Sequence, residues 1–294
     1  MEKQTVILEK ERDFTDLLNA TFAFISQEIK PLFKVMCLYA GILIIASAIM
    51  QSYFSEDTIS SYIQIFRSAL SGEGGEVQQQ FNSSVMVIMY VVMLLSKFFI
   101  CGLSFAYLVV YRDKGRNNFE IKDVWNTFFS KLPLALALSI VTILMYTVGC
   151  IFLVIPGIYM IVPLSFVLIV LYAENKNFGE SISRSFKLVS NNWWFTFGLL
   201  IIVGLIVIML GLIFSLPATI YTFIVGLTAA TKDLSAAADG INSVPFIITT
   251  VIAGIGEGLI APILYIAVGF QYFNLKEKSD NTSLFRKVSE ISKE

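Results

Sequence analysis

Two ionisable side chains interrupt long apolar runs: Lys97 near the middle of residues 85–111 and Glu257 near the middle of residues 245–270. No other Asp, Glu, Lys or Arg lies inside the six apolar runs of the chain. A charge at the centre of a membrane helix costs about 2.5–3.5 kcal/mol on insertion scales, so each needs a counter-charge, a water-filled cavity or a function. Two readings follow. As a candidate buried polar pair between helices, the amine and the carboxylate neutralise one another. As a polar centre at the bilayer midplane, they serve a proton, an ion or a polar head group.

Other chemistry is excluded by residue type. The chain has no histidine, which removes Ser-His-Asp and Cys-His triads, HExxH zinc sites and any imidazole proton transfer. No GxxxxGK[ST] phosphate loop is present, and Gly254-Ile255-Gly256-Glu257-Gly258 lies inside an apolar run with no strand before it. Gly254 and Gly258 form a GxxxG helix-packing surface there, thinned further by Gly256. Cys37, Cys101 and Cys150 lie in apolar runs without CxxC spacing and read as packing residues. No catalytic constellation, metal site or cofactor is expected.

The composition says what must position the two charges. Of 294 residues, 56% are hydrophobic and 15% charged, against about 25% charged in ordinary soluble chains. The net charge of −1 provides no basic domain for a nucleic acid. A hydrocarbon core of ~30 Å needs about 20 apolar residues, and six candidate spans follow at 35–54, 85–111, 132–154, 157–173, 195–225 and 245–270. Ile155-Pro156-Gly157 is expected to reverse the chain between the third and fourth. Pro217 is expected to end or kink the fifth, and Pro163 and Pro262 to kink the fourth and sixth. The charged N-terminal segment does not resemble a cleavable signal, so the first span is expected to act as an anchor.

Lys and Arg are distributed unevenly outside the spans. Eighteen lie in the N-terminal segment, the second-to-third loop, the fourth-to-fifth loop and the C-terminal tail, against only Arg67 and Lys232 in the remaining loops. The positive-inside rule then puts both termini in the cytoplasm and 55–84 and 226–244 outside. The segment 55–84 reads as a surface helix with Ile59, Ile63, Phe66 and Leu70 at helical spacing, broken by Gly72-Glu73-Gly74-Gly75. Asn82-Ser83-Ser84 matches a glycosylation acceptor.

Before each odd-numbered span lies a charged segment with apolar residues at i, i+3, i+4, i+7 spacing. The three sets are Phe14, Leu17, Leu18, Phe22 and Ile25; Ile121, Val124, Trp125, Phe128 and Phe129; and Phe178, Ile182, Phe186, Val189 and Trp193. Each reads as a helix along the inner interface or as a collar across the ends of the spans. Trp125, Trp193 and Trp194 sit in or beside these helices, where amphipathic rings are favoured.

Leu103-Ser104-Phe105 with Val109 and Tyr111 recurs as Leu164-Ser165-Phe166 with Val170 and Tyr172, and more faintly as Leu264 with Tyr272. Three repeat units at 13–111, 120–173 and 178–272 follow, with a cytoplasmic tail over 273–294. Lys97 lies fourteen residues before Tyr111 and Glu257 fifteen before Tyr272, so the two stand within about 1.5 Å of the same depth.

The expected fold is thus an all-α polytopic membrane protein. It forms one integral domain over 1–294, with six transmembrane helices as three hairpins, each preceded by a cytoplasmic interfacial amphipathic helix.

Ile155-Pro156-Gly157-Ile158-Tyr159, the apolar run to Glu174, Glu180-Ser181-Ile182-Ser183-Arg184-Ser185-Phe186 and Trp194 together resemble the membrane domain found beside some bacterial glycerophosphodiester phosphodiesterases and related six-span proteins. The resemblance implies a bacterial inner-membrane module linked to lipids and transfers no catalytic residue. Glu174 and Arg184 are candidates for an inner-interface contact, either structural or with a lipid head group. The expected function is a non-catalytic scaffold or accessory module whose partners are membrane lipids and a membrane protein. The alternative is a carrier for a small solute or lipid using Lys97 and Glu257.

Overall fold

The computed structural model describes residues 6–55, 83–152, 154–231 and 244–280. Among them there are helices, short links and one 3-10 turn at Ser190–Asn192, and no strand. The helices are α1 (Phe14–Tyr39), α2 (Gly41–Ser55), α3 (Ser83–Lys114), α4 (Ile121–Ser130), α5 (Leu132–Phe152) and α6 (Val154–Leu164). They continue as α7 (Val167–Glu174), α8 (Phe178–Val189), α9 (Trp193–Thr231), α10 (Val244–Ile260) and α11 (Pro262–Asp280). Five helical stretches are long and apolar enough to cross a membrane, or six if α1 and α2 form one broken span. Internal helical hydrogen bonds satisfy the backbone polar groups that lipid cannot.

Breaks occur near the expected prolines, with differences in detail. The sixth apolar run divides at Ala261 before Pro262, because the ring of a proline disfavours helical dihedrals in the residue before it. The fourth divides at Ser165–Phe166, just after Pro163. Pro217, by contrast, lies within the 39-residue α9, which is about 58 Å long and so exceeds a ~30 Å hydrocarbon core. Pro156 and Gly157 do not form the reversal expected of them; they occupy the first turn of α6, where a missing proline N–H breaks no helical bond. Gly157 instead allows α5 and α6 to approach. A Cβ there would stand 2.6 Å from Cys150 Sγ and 3.0 Å from its Cα.

The first candidate span, 35–54, is divided between α1 and α2. α1 runs unbroken from Phe14 to Tyr39, joining the expected interfacial helix to the start of that span, and the interruption falls at Ala40. At the other end α11 continues to Asp280 with Phe273, Asn274 and Leu275 buried, so the chain from 273 to 280 is packed helix. The expected surface helix at Ile59–Leu70, its glycine breaker and Asn82 lie outside the described residues.

The described residues cluster into two compact units. The first contains the chain up to Tyr39, Phe98–Val207 and the chain from Ala261. Its centre is built from the end of α3, α7 and α11, where Leu103, Phe105, Tyr107, Phe166, Phe270, Tyr272 and Phe273 retain almost no exposed surface. Tyr111 and Tyr172, near the ends of α3 and α7, and Tyr272, midway along α11, are all buried. α1 packs on α11 and α4, and α8 packs on α6, α7 and α11.

α8 folds back beside α7 and α6. Trp193 Nε1 donates to the Tyr159 carbonyl at 3.1 Å, and the two rings stack at 5.5 Å. In the expected hairpin, Tyr159 and Trp193 belong to opposite faces of the bilayer; in the structure they are in contact. The reason is length: fifteen residues separate Tyr159 from Glu174 and fifteen separate Phe178 from Trp193, about 22 Å of helix in each direction. Glu180, Ser183 and Lys187 meanwhile form an exposed polar stripe on α8.

The second unit contains Ala40–Lys97 and Ile208–Ile260. Here helices meet through small residues. A Cβ on Gly254 would lie 2.8 Å from Ala48 Cβ, one on Gly258 2.7 Å from Ile44 Cγ2, and one on Gly256 would clash with Cβ and Cγ of Phe214. These glycines let α10 seat closely on α2 and α9. Across the same unit Thr250 Oγ1 donates to Ser52 Oγ at 2.8 Å.

Candidate functional site

The second unit brings Lys97 and Glu257 together. Lys97 Nζ lies 3.3 Å from Glu257 Oε1, joining α3 to α10. Their side chains are 57% and 54% exposed on the protein surface, so the expected contact between helices is made but protein does not enclose it. The apolar helices supply both groups but do not enclose them. Gly254, Gly256 and Gly258 direct the neighbouring faces of α10 onto Ala48, Phe214 and Ile44, and Glu257 lies between those packing positions.

The first unit holds a second and more deeply packed charge system. Glu174, at the end of α7, accepts from Arg184 Nε at 3.1 Å and from Tyr272 Oη at 3.0 Å through the same Oε1. Arg184 also donates through Nη2 to Asp280 Oδ2 at 2.5 Å, and Lys176 Nζ stands 3.7 Å from Glu174 Oε2. The αL conformation of Asn175 ends α7 and turns the chain toward α8, as Asn tolerates that region best after Gly. This turn presents Arg184 to Glu174.

A third system was not anticipated from the sequence. Glu28 is buried in α1, where its carboxylate accepts from Tyr107 Oη at 2.6 Å and from Arg116 Nε at 2.8 Å. The buried stripe of α1 reads Leu17, Thr21, Phe24, Glu28, Leu32, Val35 and Met36. Of the apolar set expected to face inward, only Leu17 is fully buried. An acidic residue in phase with Leu17, Phe24 and Leu32 is the signal that would have revealed the site.

A buried polar chain closes the first unit. Gln271 donates to Thr196 at 2.8 Å, Asn274 donates to Gln271 at 3.1 Å, and Arg12 N–H donates to Asn274 Oδ1 at 2.9 Å. The Arg12 guanidinium donates to the carbonyls of Leu8, Lys10 and Ile7 and stands over the Phe270 ring. Burial pushes its pKa below the usual value, offset in part by Asp16.

The tryptophans form two separate aromatic groups. Trp125 stacks on Tyr39 at 4.6 Å, while Trp193 meets Tyr159, Trp194 and Phe197. Trp194 is largely exposed. At the start of α4, the Asp123 carboxylate accepts from the Glu120 backbone N–H at 2.9 Å and lies 2.8 Å from Lys114 Nζ. The lysine, followed by that N–H, holds the Asp123 pKa below the usual carboxylate range.

Chemically, these clusters neutralise charge. Glu174 and Glu257, the carboxylates singled out in the sequence, each face a cation: Arg184 for the first and Lys97 for the second. Among the described residues no group of three or more His, Cys, Asp or Glu side chains is placed to hold a metal ion.

Comparison with known proteins matches residues 84–273 to the family model described as Domain of unknown function (DUF7847). No curated protein and no solved structure matches the chain. The matched segment includes Lys97, Glu174, Arg184 and Glu257, whereas Glu28 and α1 precede it. Since the match covers more than half of the sequence, the chain belongs to the DUF7847 family.

Proposed function

We propose that this protein is a non-catalytic scaffold or accessory module of a bacterial inner membrane, with both termini cytoplasmic and with lipids and a membrane protein as its partners. The observation that carries this reading is the neutralisation of Glu174 and Asp280 by Arg184 and Lys176 and of Glu28 by Arg116. Groups held this way brace helices; a general acid or base needs a pKa tuned to its task and access to a substrate. The link to lipids rests on the resemblance of the Ile155–Tyr159 and Glu180–Phe186 segments to the phosphodiesterase-associated membrane domain.

The test is cross-linking and copurification of the full chain from native membranes, followed by quantitative mass spectrometry. A stoichiometric membrane-protein partner that is lost on Trp194→Ala supports the reading. Reproducible turnover of a lipid, abolished by Glu257→Gln, overturns it.

A carrier for a small solute or lipid is the second reading, favoured by the exposure of Lys97 and Glu257 and by the helix break at Ala261. It requires loss of substrate movement in Lys97→Met and Glu257→Gln with the fold intact.

A further inference from the structure

The second unit contains a cavity of about 680 Å³ bounded by α2, α9 and α10. Its polar lining consists of hydroxyls and one amide: Ser55, Ser215, Thr219, Thr222, Thr250 and Gln51. Among the described residues no charged side chain contributes to this lining.

The hydrogen bonds of the hydroxyls define what the cavity offers. Thr219 donates to the Ser215 carbonyl at 3.0 Å, Thr222 to the Ala218 carbonyl at 2.8 Å, and Ser215 to the Leu212 carbonyl at 3.2 Å. Ser55 donates to the Gln51 carbonyl at 2.9 Å, and Thr250 donates to Ser52 Oγ or to the Phe246 carbonyl. With their protons committed, these hydroxyls present oxygen lone pairs to the space. Gln51 alone among the described lining residues adds side-chain N–H donors. Such a wall suits a group that both donates and accepts. Among the described lining residues a phosphate finds no counter-charge and an ammonium finds no carboxylate.

The apolar part of the wall indicates where the ligand comes from. Phe223 and Leu227 line the cavity and are exposed on α9, alongside exposed Ile220 and Ile224. The opening therefore joins an apolar helix surface, which a lipid tail can follow while its polar end enters.

We infer that this cavity binds the hydroxyl end of an uncharged, membrane-dissolved lipid alcohol of the diacylglycerol type. Gln51 donates to the ligand oxygen, and Thr219 and Thr222 accept its proton. The site does not involve Lys97, Glu257 or the charge systems of the first unit, and it does not depend on the scaffold reading.

The experiment is native mass spectrometry of the full chain in phosphatidylcholine nanodiscs, with 1,2-dioctanoylglycerol, 1,2-dioctanoyl phosphatidic acid and glycerol as probes. Dioctanoylglycerol is expected to be retained at least tenfold more tightly than the phosphatidic acid. The Thr219→Val/Thr222→Val variant should bind it about tenfold more weakly, and Gln51→Leu about fivefold more weakly, as expected for one or two lost neutral hydrogen bonds. An unchanged thermal midpoint in either variant shows that the fold is kept. Equal retention of the phosphatidic acid, unchanged binding in both variants or no retention of dioctanoylglycerol overturns the inference. Displacement by free glycerol at millimolar concentration overturns the lipid assignment in favour of an aqueous polyol.

Discussion

The two units of this protein use polar residues in opposite ways. In the first, Glu28, Gln271, Asn274 and Glu277 are buried within a dense aromatic centre. In the second, the charges of Lys97 and Glu257 sit on the surface, and helices are joined by glycine contacts and by single hydroxyl bonds such as Thr250 to Ser52. The contrast teaches that the positions which looked most anomalous in the sequence are not those most deeply embedded in protein. A carboxylate buried in protein must be satisfied by the surrounding fold, whereas Lys97 and Glu257 satisfy one another across a single contact between α3 and α10.

Substitutions in the two units sharpen or break that contrast. Glu28→Leu should have the largest effect, because it leaves Tyr107 and Arg116 without their shared acceptor; a loss of about 3 kcal/mol is expected in reversible unfolding of the detergent-solubilised protein. A change below 0.5 kcal/mol, roughly that of an ordinary surface substitution, would mean that the first unit does not depend on its buried polar core. Gly254→Leu comes next, at about 1–3 kcal/mol for overpacking against Ala48. It tests whether close helix approach supports the second unit as the buried network supports the first.

The Lys97–Glu257 pair should contribute less. In a double-mutant cycle of Lys97→Met and Glu257→Gln, each single change destabilises, and the double is less damaging than their sum by under about 1 kcal/mol. Strict additivity counts against pairing, and a much larger coupling shows that the pair is shielded from water in the bilayer.

The smallest effect belongs to Asp123. Its pKa is depressed in the folded state by Lys114 and the Glu120 N–H, so its contribution is present above the unfolded value of about 3.9 and disappears as the pH falls through the folded one. Thermal unfolding of Asp123→Asn should differ slightly from the parent at pH 7 and converge with it in acid. A difference that persists at pH 2 contradicts this.

Local features were legible in the sequence where they depend on neighbours along the chain. The spacing of Ile121, Val124 and Phe128 and of Phe178, Ile182 and Phe186 falls within α4 and α8, although α8 buries Ser181, Ser185, Leu188 and Val189 and leaves Phe178, Ile182 and Phe186 half-buried; Pro262 gives the break at Ala261. The placement of Trp193 beside Tyr159 was not legible, because it depends on α8 turning back along α7, and apolar spacing does not specify direction. Glu28 is hidden in the sequence for a related reason. Its segment is rich in charges, and only the rotational phase of the whole helix shows that this carboxylate belongs to the apolar stripe.

Composition and hydropathy by themselves determine that the chain is helical and carries stretches suited to a membrane, since those properties follow from the transfer free energy of each residue and from local backbone hydrogen bonding. They also locate Lys97 and Glu257 as charges within apolar runs. Which groups meet was decided only in three dimensions. Lys97 and Glu257 are 160 residues apart, and Arg116 and Glu28 are 88 apart. Whether each pair is buried or exposed depends on the rotation of every helix about its axis, and that rotation is set by the packing of the others.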